Sequence, residues 1–169
     1  MTRILTIIFL LSFLTISAAA QKSLKVGSAA PAFMGTSLDG KAIDLSDLRG
    51  SVVVVTFWST RCQICHHEIP KLNRFAGQYD PTRVVFLALS MESEEKISAY
   101  LKYSPFNFQI LPNSFAVVLK YADRDRNDNL DMGFPSFFVI DQRGLVQYRS
   151  SGYDKTAALD TAINKLVLK

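Results

Sequence analysis

The run Val52-Val53-Val54-Val55-Thr56-Phe57-Trp58 constrains this chain more than any other stretch. Successive side chains on a strand point to opposite sides of a sheet, so a β-branched and aromatic run without polar alternation has no wet face to offer. Such a strand must be covered above and below, as in a parallel or mixed sheet flanked by helices. A second run of the same kind, Arg83 to Ser90 (RVVFLALS), supplies a neighbouring strand. Between the two, Cys65, Ile69, Leu72, Ala76 and Tyr79 fall at helical spacing, which predicts a helix from near Cys62 towards Tyr79 with a kink at Pro70.

The rest of the chain continues that alternation. Glu94 to Leu101 reads as a helix whose first turn carries Glu94 and Glu95, favourable at the positive end of the dipole. Ser114 to Tyr121 reads as a short helix. Ser136–Ile140 and Leu145–Arg149 read as an antiparallel hairpin around the turn Asp141-Gln142-Arg143-Gly144. A last helix is expected from Asp154 as N-cap, with Ala158, Leu159, Ala162, Ile163, Leu166 and Val167 as its apolar stripe. Ahead of the main fold, Ala32-Phe33-Met34 and Ala42-Ile43-Asp44 flank the turn Leu38-Asp39-Gly40-Lys41, a small N-terminal hairpin. The expected fold class is α/β, with a central mixed sheet flanked by helices on both faces.

The first twenty residues, MTRILTIIFLLSFLTISAAA, combine Arg3, an apolar run from Ile4 to Ile16 and three small residues. That is the form of a secretory signal peptide cleaved before Gln21, and a membrane tether is expected only if it stays uncleaved. The remainder of the chain is long enough for one domain with a full core. A net charge of +4, with bases scattered among acids, argues for no nucleic-acid partner.

Export matters for the only two cysteines, Cys62 and Cys65, in Arg61-Cys62-Gln63-Ile64-Cys65-His66-His67. As a structural staple in an oxidising compartment they would close a loop worth only about 2 kcal/mol of chain entropy. With His66 next, the segment also spells C-x-x-C-H, a c-type haem attachment pattern. A haem handle sits in a largely helical chain, whereas this one comes directly after a buried strand. A redox dithiol needs that setting: unpaired amides and partial positive charge at a helix start stabilise a thiolate.

These residues carry a resemblance. Phe57-Trp58-x-x-x-Cys62-x-x-Cys65, Pro70 five positions on, and Gly133-Phe134-Pro135-Ser136 leading to Asp141-x-x-Gly144 resemble the thioredoxin superfamily. The signal segment, Val26-Gly27-x-x-Ala30-Pro31-x-Phe33 and Leu45-Ser46-Asp47-Leu48-Arg49-Gly50 are similar to the exported TlpA/ResA-type thiol-disulfide oxidoreductases. The resemblance covers about Leu24 to the C-terminus and implies a single thioredoxin-like domain over 24–169, behind a signal peptide at 1–20. It implies an insert between Met91 and Asn113, a cis bond before Pro135, and a substrate groove formed by Trp58, Phe134 and Pro135. Cys62 would be the nucleophile and Cys65 the resolving thiol in a bacterial, periplasmic or extracytoplasmic monomer. The chain would act as a reductant on protein disulfides, be served by an upstream redox partner, and need neither cofactor nor metal.

The chain departs from that pattern at several positions. Arg61 stands where these relatives commonly have Trp, either as a cation lowering the Cys62 pKa or as a solvated rim residue. Gln63-Ile64 replaces a Pro-containing dipeptide. Thr56 replaces a buried Asp of thioredoxins proper and cannot serve as a general base. His66 lies at i+4 from Cys62, where its ring could approach the sulfur. Cys62, Cys65 and His66 are also soft ligands, so binding or delivery of Cu(I) is the alternative reading. A peroxiredoxin would need Pro at position 55, which is Val. The acidic run Asp123 to Asp131 fails as a calcium loop, with Asp128 in place of Gly and Phe134 in place of Glu, and reads as a solvated loop.

Overall fold

The computed structural model describes residues 23–168; the expected signal peptide at 1–20 lies outside the described residues. Among the described residues the main sheet has five strands in the order β5 (Gln109–Leu111), β4 (Val84–Leu89), β3 (Val52–Phe57), β8 (Ser136–Ile140), β9 (Val146–Ser151). Strand β3 (Val52–Phe57) is central and all six of its residues are buried. It pairs in parallel with β4 (Val84–Leu89), which pairs in parallel with β5 (Gln109–Leu111). On the other side β3 pairs antiparallel with β8 (Ser136–Ile140), and β8 with β9 (Val146–Ser151). The sheet is mixed, and both faces are covered, as the strand composition demands.

Side-chain alternation along β3 divides the core in two. Val53, Val55 and Phe57 pack with Phe33 and Ile43 of the N-terminal hairpin and with helix α3 (Phe115–Tyr121). That hairpin joins β1 (Met34–Thr36) to β2 (Ala42–Asp44), with Gly35 opposite Ile43. Val52 and Val54 face the other way, against helices α1 (Gln63–Ala76), α2 (Glu94–Leu101) and α4 (Thr156–Val167) through Ile69, Leu72, Ile97, Leu159 and Ile163.

Four details differ from the sequence reading. The region between Met91 and Asn113 contains β5, a three-residue strand too short to show a periodicity. Helix α1 stops at Ala76 with Gly77 as C-cap, short of Tyr79, and passes through Pro70, which has no N–H to return to His66. The acidic run forms a ribbon of β6 (Asp123–Arg124) and β7 (Leu130–Asp131) rather than an open loop. Lys155, not Asp154, holds the N-cap position of α4 and makes no side-chain capping hydrogen bond, while Asp154 sits at φ 55° and donates its N–H to Glu68 Oε2 at 3.0 Å.

Candidate active site

Strand β3 ends at Phe57 and delivers the turn Ser59-Thr60-Arg61 to the start of α1. Cys62 is the N-cap of that helix at φ −83°, ψ 104°, and its sulfur accepts the Cys65 N–H at 3.0 Å. Its own N–H donates to the Ser59 carbonyl at 3.1 Å, and its carbonyl accepts the His66 N–H at 3.1 Å. Cys62 and Cys65 are joined by a disulfide, with Cα atoms 5.2 Å apart. Cys62 is half-buried, whereas Cys65, one turn in, is 1 % exposed. The position suits a thiolate: a sulfur at the N-cap takes an otherwise unpaired amide, and negative charge there is favoured by the helix dipole.

The residues expected around the dithiol fall into place unevenly. The Phe134-Pro135 peptide is cis. Because Phe57 pairs with Ser136, the antiparallel register sets Pro135 beside the point where the chain leaves β3. Phe134 is half-buried and touches both halves of the core. Trp58 corrects the expectation of a groove-lining residue: it is 1 % exposed, packed against Phe106 and Tyr100 with ring centroids 5.4 and 5.6 Å away. It continues β3 into the core.

Arg61 is exposed at the rim, and its backbone N–H donates to Ser59 Oγ at 3.1 Å. His66 Nε2 lies 2.8 Å from the Thr60 carbonyl, so that nitrogen carries a hydrogen, and the ring rests on Tyr100 at 5.1 Å. The ring of His66 is thereby tied to the residue two places before Cys62. Among the described residues no group of three or more His, Cys, Asp or Glu is arranged to hold a metal ion.

Two acids that sequence reasoning passed over belong to this neighbourhood. Glu92 sits 32 residues from Thr60 in the chain yet accepts its N–H at 2.7 Å and its hydroxyl at 2.8 Å. Burial pushes the Glu92 carboxyl up, but Lys96 and both Thr60 donors outweigh it and hold its pKa down to about 2. Glu68, three positions after Cys65, is fully buried and receives Lys71 Nζ at 2.9 Å besides the Asp154 N–H. Of the two, only Glu68 leaves a trace in the sequence, as an acid on the apolar side of α1. Thr56, in the place of the buried Asp of thioredoxins proper, has a buried Oγ1 that finds no hydrogen-bond partner among the described residues.

Away from the dithiol, the Asn129 side-chain amide donates to Asp125 Oδ2 at 3.1 Å and the N–H groups of Asn129 and Asn127 to Oδ1 at 2.9 and 2.8 Å, which together lower the Asp125 pKa and close the ribbon turn. That use of the carboxylate explains the acidic run as turn chemistry.

Residues 26–149 match the AhpC/TSA family model. The chain is 35 % identical over 148 residues to the thiol-disulfide oxidoreductase ResA of Bacillus thuringiensis (strain Al Hakam), spanning 86 % of this chain and 81 % of that protein. It is 33 % identical over 127 residues to the ResA protein of Geobacillus kaustophilus, spanning 75 % of this chain and 70 % of that protein. Among solved structures, a thiol:disulfide interchange protein of the thioredoxin family from Chlorobium tepidum TLS superposes with a TM-score of 0.70 at 22 % identity, covering 85 % of this chain and 98 % of that one. That last likeness bears on the fold, which is thioredoxin-like.

Proposed function

The chain belongs to the AhpC/TSA family and is a thioredoxin-like thiol-disulfide oxidoreductase, and from that premise we propose that it is an exported reductant of protein disulfides with Cys62 as its attacking thiol. The observation that carries this reading is the pairing of a half-buried sulfur at a helix N-cap with a fully buried sulfur one turn in, beside the Phe134-Pro135 bond. In the reduced protein the Cys62 thiolate attacks one sulfur of a client disulfide, and the other leaves as a thiolate that takes a proton. The Cys65 thiolate then attacks Cys62 Sγ, expels the second client thiolate and leaves the Cys62-Cys65 disulfide. Two electrons pass to the client in each cycle. A partner of matching redox class must return them, because the cycle ends in the oxidised form.

In this reading Phe134 and Pro135 border the surface where an extended client segment lies, Trp58 supports it from below, and Arg61 and His66 tune the thiol. Residues 1–20 are removed as a signal peptide, and 24–169 act as one monomeric domain outside the cytoplasm. No helix among the described residues is long and apolar enough to cross a membrane.

The test is disulfide reduction by the purified chain. Wild type should reduce a protein disulfide, Cys62→Ser should lose that activity, and Cys65→Ala should accumulate a mixed disulfide at Cys62. Wild-type rates in Cys62→Ser would sink the mechanism. Equilibration against thiol buffers decides direction: a potential near that of thioredoxin, about −270 mV, is expected, and a value near the DsbA figure of about −120 mV would reverse it. Recovery of the chain from the cytoplasm with residues 1–20 intact would overturn export.

A further inference from the structure

Thr60, two residues ahead of Cys62, is gripped at every polar group it has. Its N–H and hydroxyl donate to the two oxygens of one carboxylate, Glu92, at 2.7 and 2.8 Å, and its carbonyl accepts His66 Nε2 at 2.8 Å. Glu92 is itself fixed. Lys96 Nζ lies 2.9 Å from Oε1, Ser90 Oγ donates to Oε2 at 3.3 Å, and the Glu92 carbonyl accepts the Asn113 N–H at 2.9 Å. The Glu92 side chain is only 12 % exposed. Starting helix α2 would need no more than an acid in solvent; a carboxylate held this far from water is stable only because these donors surround it.

The grip bears on chemistry because of what Thr60 precedes. The Cys62 sulfur meets the Cys65 N–H only while the backbone enters the helix at the N-cap angles, and Thr60-Arg61 sets that entry. Helix α2 and the residues before it hold the turn twice, through Glu92 on Thr60 and through Tyr100 packed at a tilt against the His66 ring.

We propose that Glu92 is a positioning residue for the Cys62 thiol: by binding the Thr60 N–H and hydroxyl and so presenting the Thr60 carbonyl to His66, it holds the turn that keeps the Cys62 sulfur on its amide donor. The proposal rests on the reading of Cys62 as the attacking thiol. Glu92 does not touch the sulfur, and it acts through one residue of backbone on each side of Arg61. Its carboxylate is ionised at every pH where thiols exchange, so the clamp stays closed throughout the working range.

The experiment measures the alkylation rate of the reduced full chain against pH, with mass mapping of the labelled cysteine, alongside thermal melting. In wild type the label should appear first on Cys62. Glu92→Ala should slow Cys62 labelling at neutral pH by about tenfold and move the midpoint of the pH profile upward, the cost expected of a misplaced reacting group. Thr60→Val should shift the profile in the same direction, and Thr60→Ser should match wild type. If Glu92→Ala does not fold, the Val and Ser variants at position 60 decide. An unchanged midpoint in Glu92→Ala and Thr60→Val, with only the melting temperature lowered, would overturn the proposal and leave the Cys62 reading standing. Labelling of Cys65 in place of Cys62 in wild type would remove the Cys62 reading and the proposal together.

Discussion

The two faces of β3 are built to different standards. On one, Val53, Val55 and Phe57 meet an aromatic cluster in which Phe57 and Phe138 pack on Tyr121 with centroids 5.4 and 5.1 Å away, and the Tyr121 hydroxyl donates to the Pro31 carbonyl at 3.0 Å. On the other, Val52 and Val54 share their layer with Thr56, Trp58, Cys65 and buried Glu68. There Thr56 Oγ1, Trp58 Nε1 and Tyr100 Oη are buried without hydrogen-bond partners among the described residues. The first face has the features of a region selected for stability: apolar, edge-to-face and satisfied. The second keeps polar loose ends beneath the helix that carries the dithiol, where buried polar atoms weaken the fold. Stability and chemistry are thus assigned to opposite sides of a single strand.

That division is open to direct attack. The largest effect should come from Phe138→Ala on the satisfied face, a loss of about 3–5 kcal/mol in denaturant unfolding with the reduction potential of Cys62-Cys65 unchanged. A matching change in potential would show that the two faces are not independent. Thr56→Val on the dithiol face should do the opposite and raise stability by about 1 kcal/mol, since it replaces an unpaired hydroxyl by a methyl group of similar shape. A lower melting temperature in that variant would mean that the hydroxyl is paired in solution, and the contrast between the faces would shrink.

The smallest effect concerns pH. Glu92 has its pKa depressed from 4.5 to about 2, so its contribution to stability is fully present above about pH 4.5 and is lost as pH falls through about 2. Unfolding free energy followed across that window should decline less steeply in Glu92→Gln than in wild type. Identical slopes would show that the clamp adds nothing to folding.

Much of the site is legible in the sequence because its signals are local. An unalternating strand followed at once by C-x-x-C and a helical stripe places one cysteine at a helix start and the other inside it, through strand and helix periodicity alone. The cis bond before Pro135 is carried by the resemblance of Gly133-Phe134-Pro135-Ser136, not by periodicity. Other parts leave no such trace. Strand β5 is three residues long and exists because the edge of β4 offers it partners. The resemblance puts Trp58 in the groove, yet Phe106 and Tyr100, far along the chain, pack against it. Asp154 has the composition of an N-cap, but the N–H it gives to Glu68 sets its backbone elsewhere.

By itself the sequence determined a doubly covered central strand, the helix that starts at Cys62, and the separation of an accessible from a buried sulfur, because hydrophobic periodicity and capping act over one or two turns of chain. Only the tertiary structure decided that a glutamate 32 residues away would bind Thr60 in the turn ahead of Cys62. Hydrogen bonds between distant segments leave no periodic mark, and they form only once the sheet has brought the ends of β3 and β4 side by side.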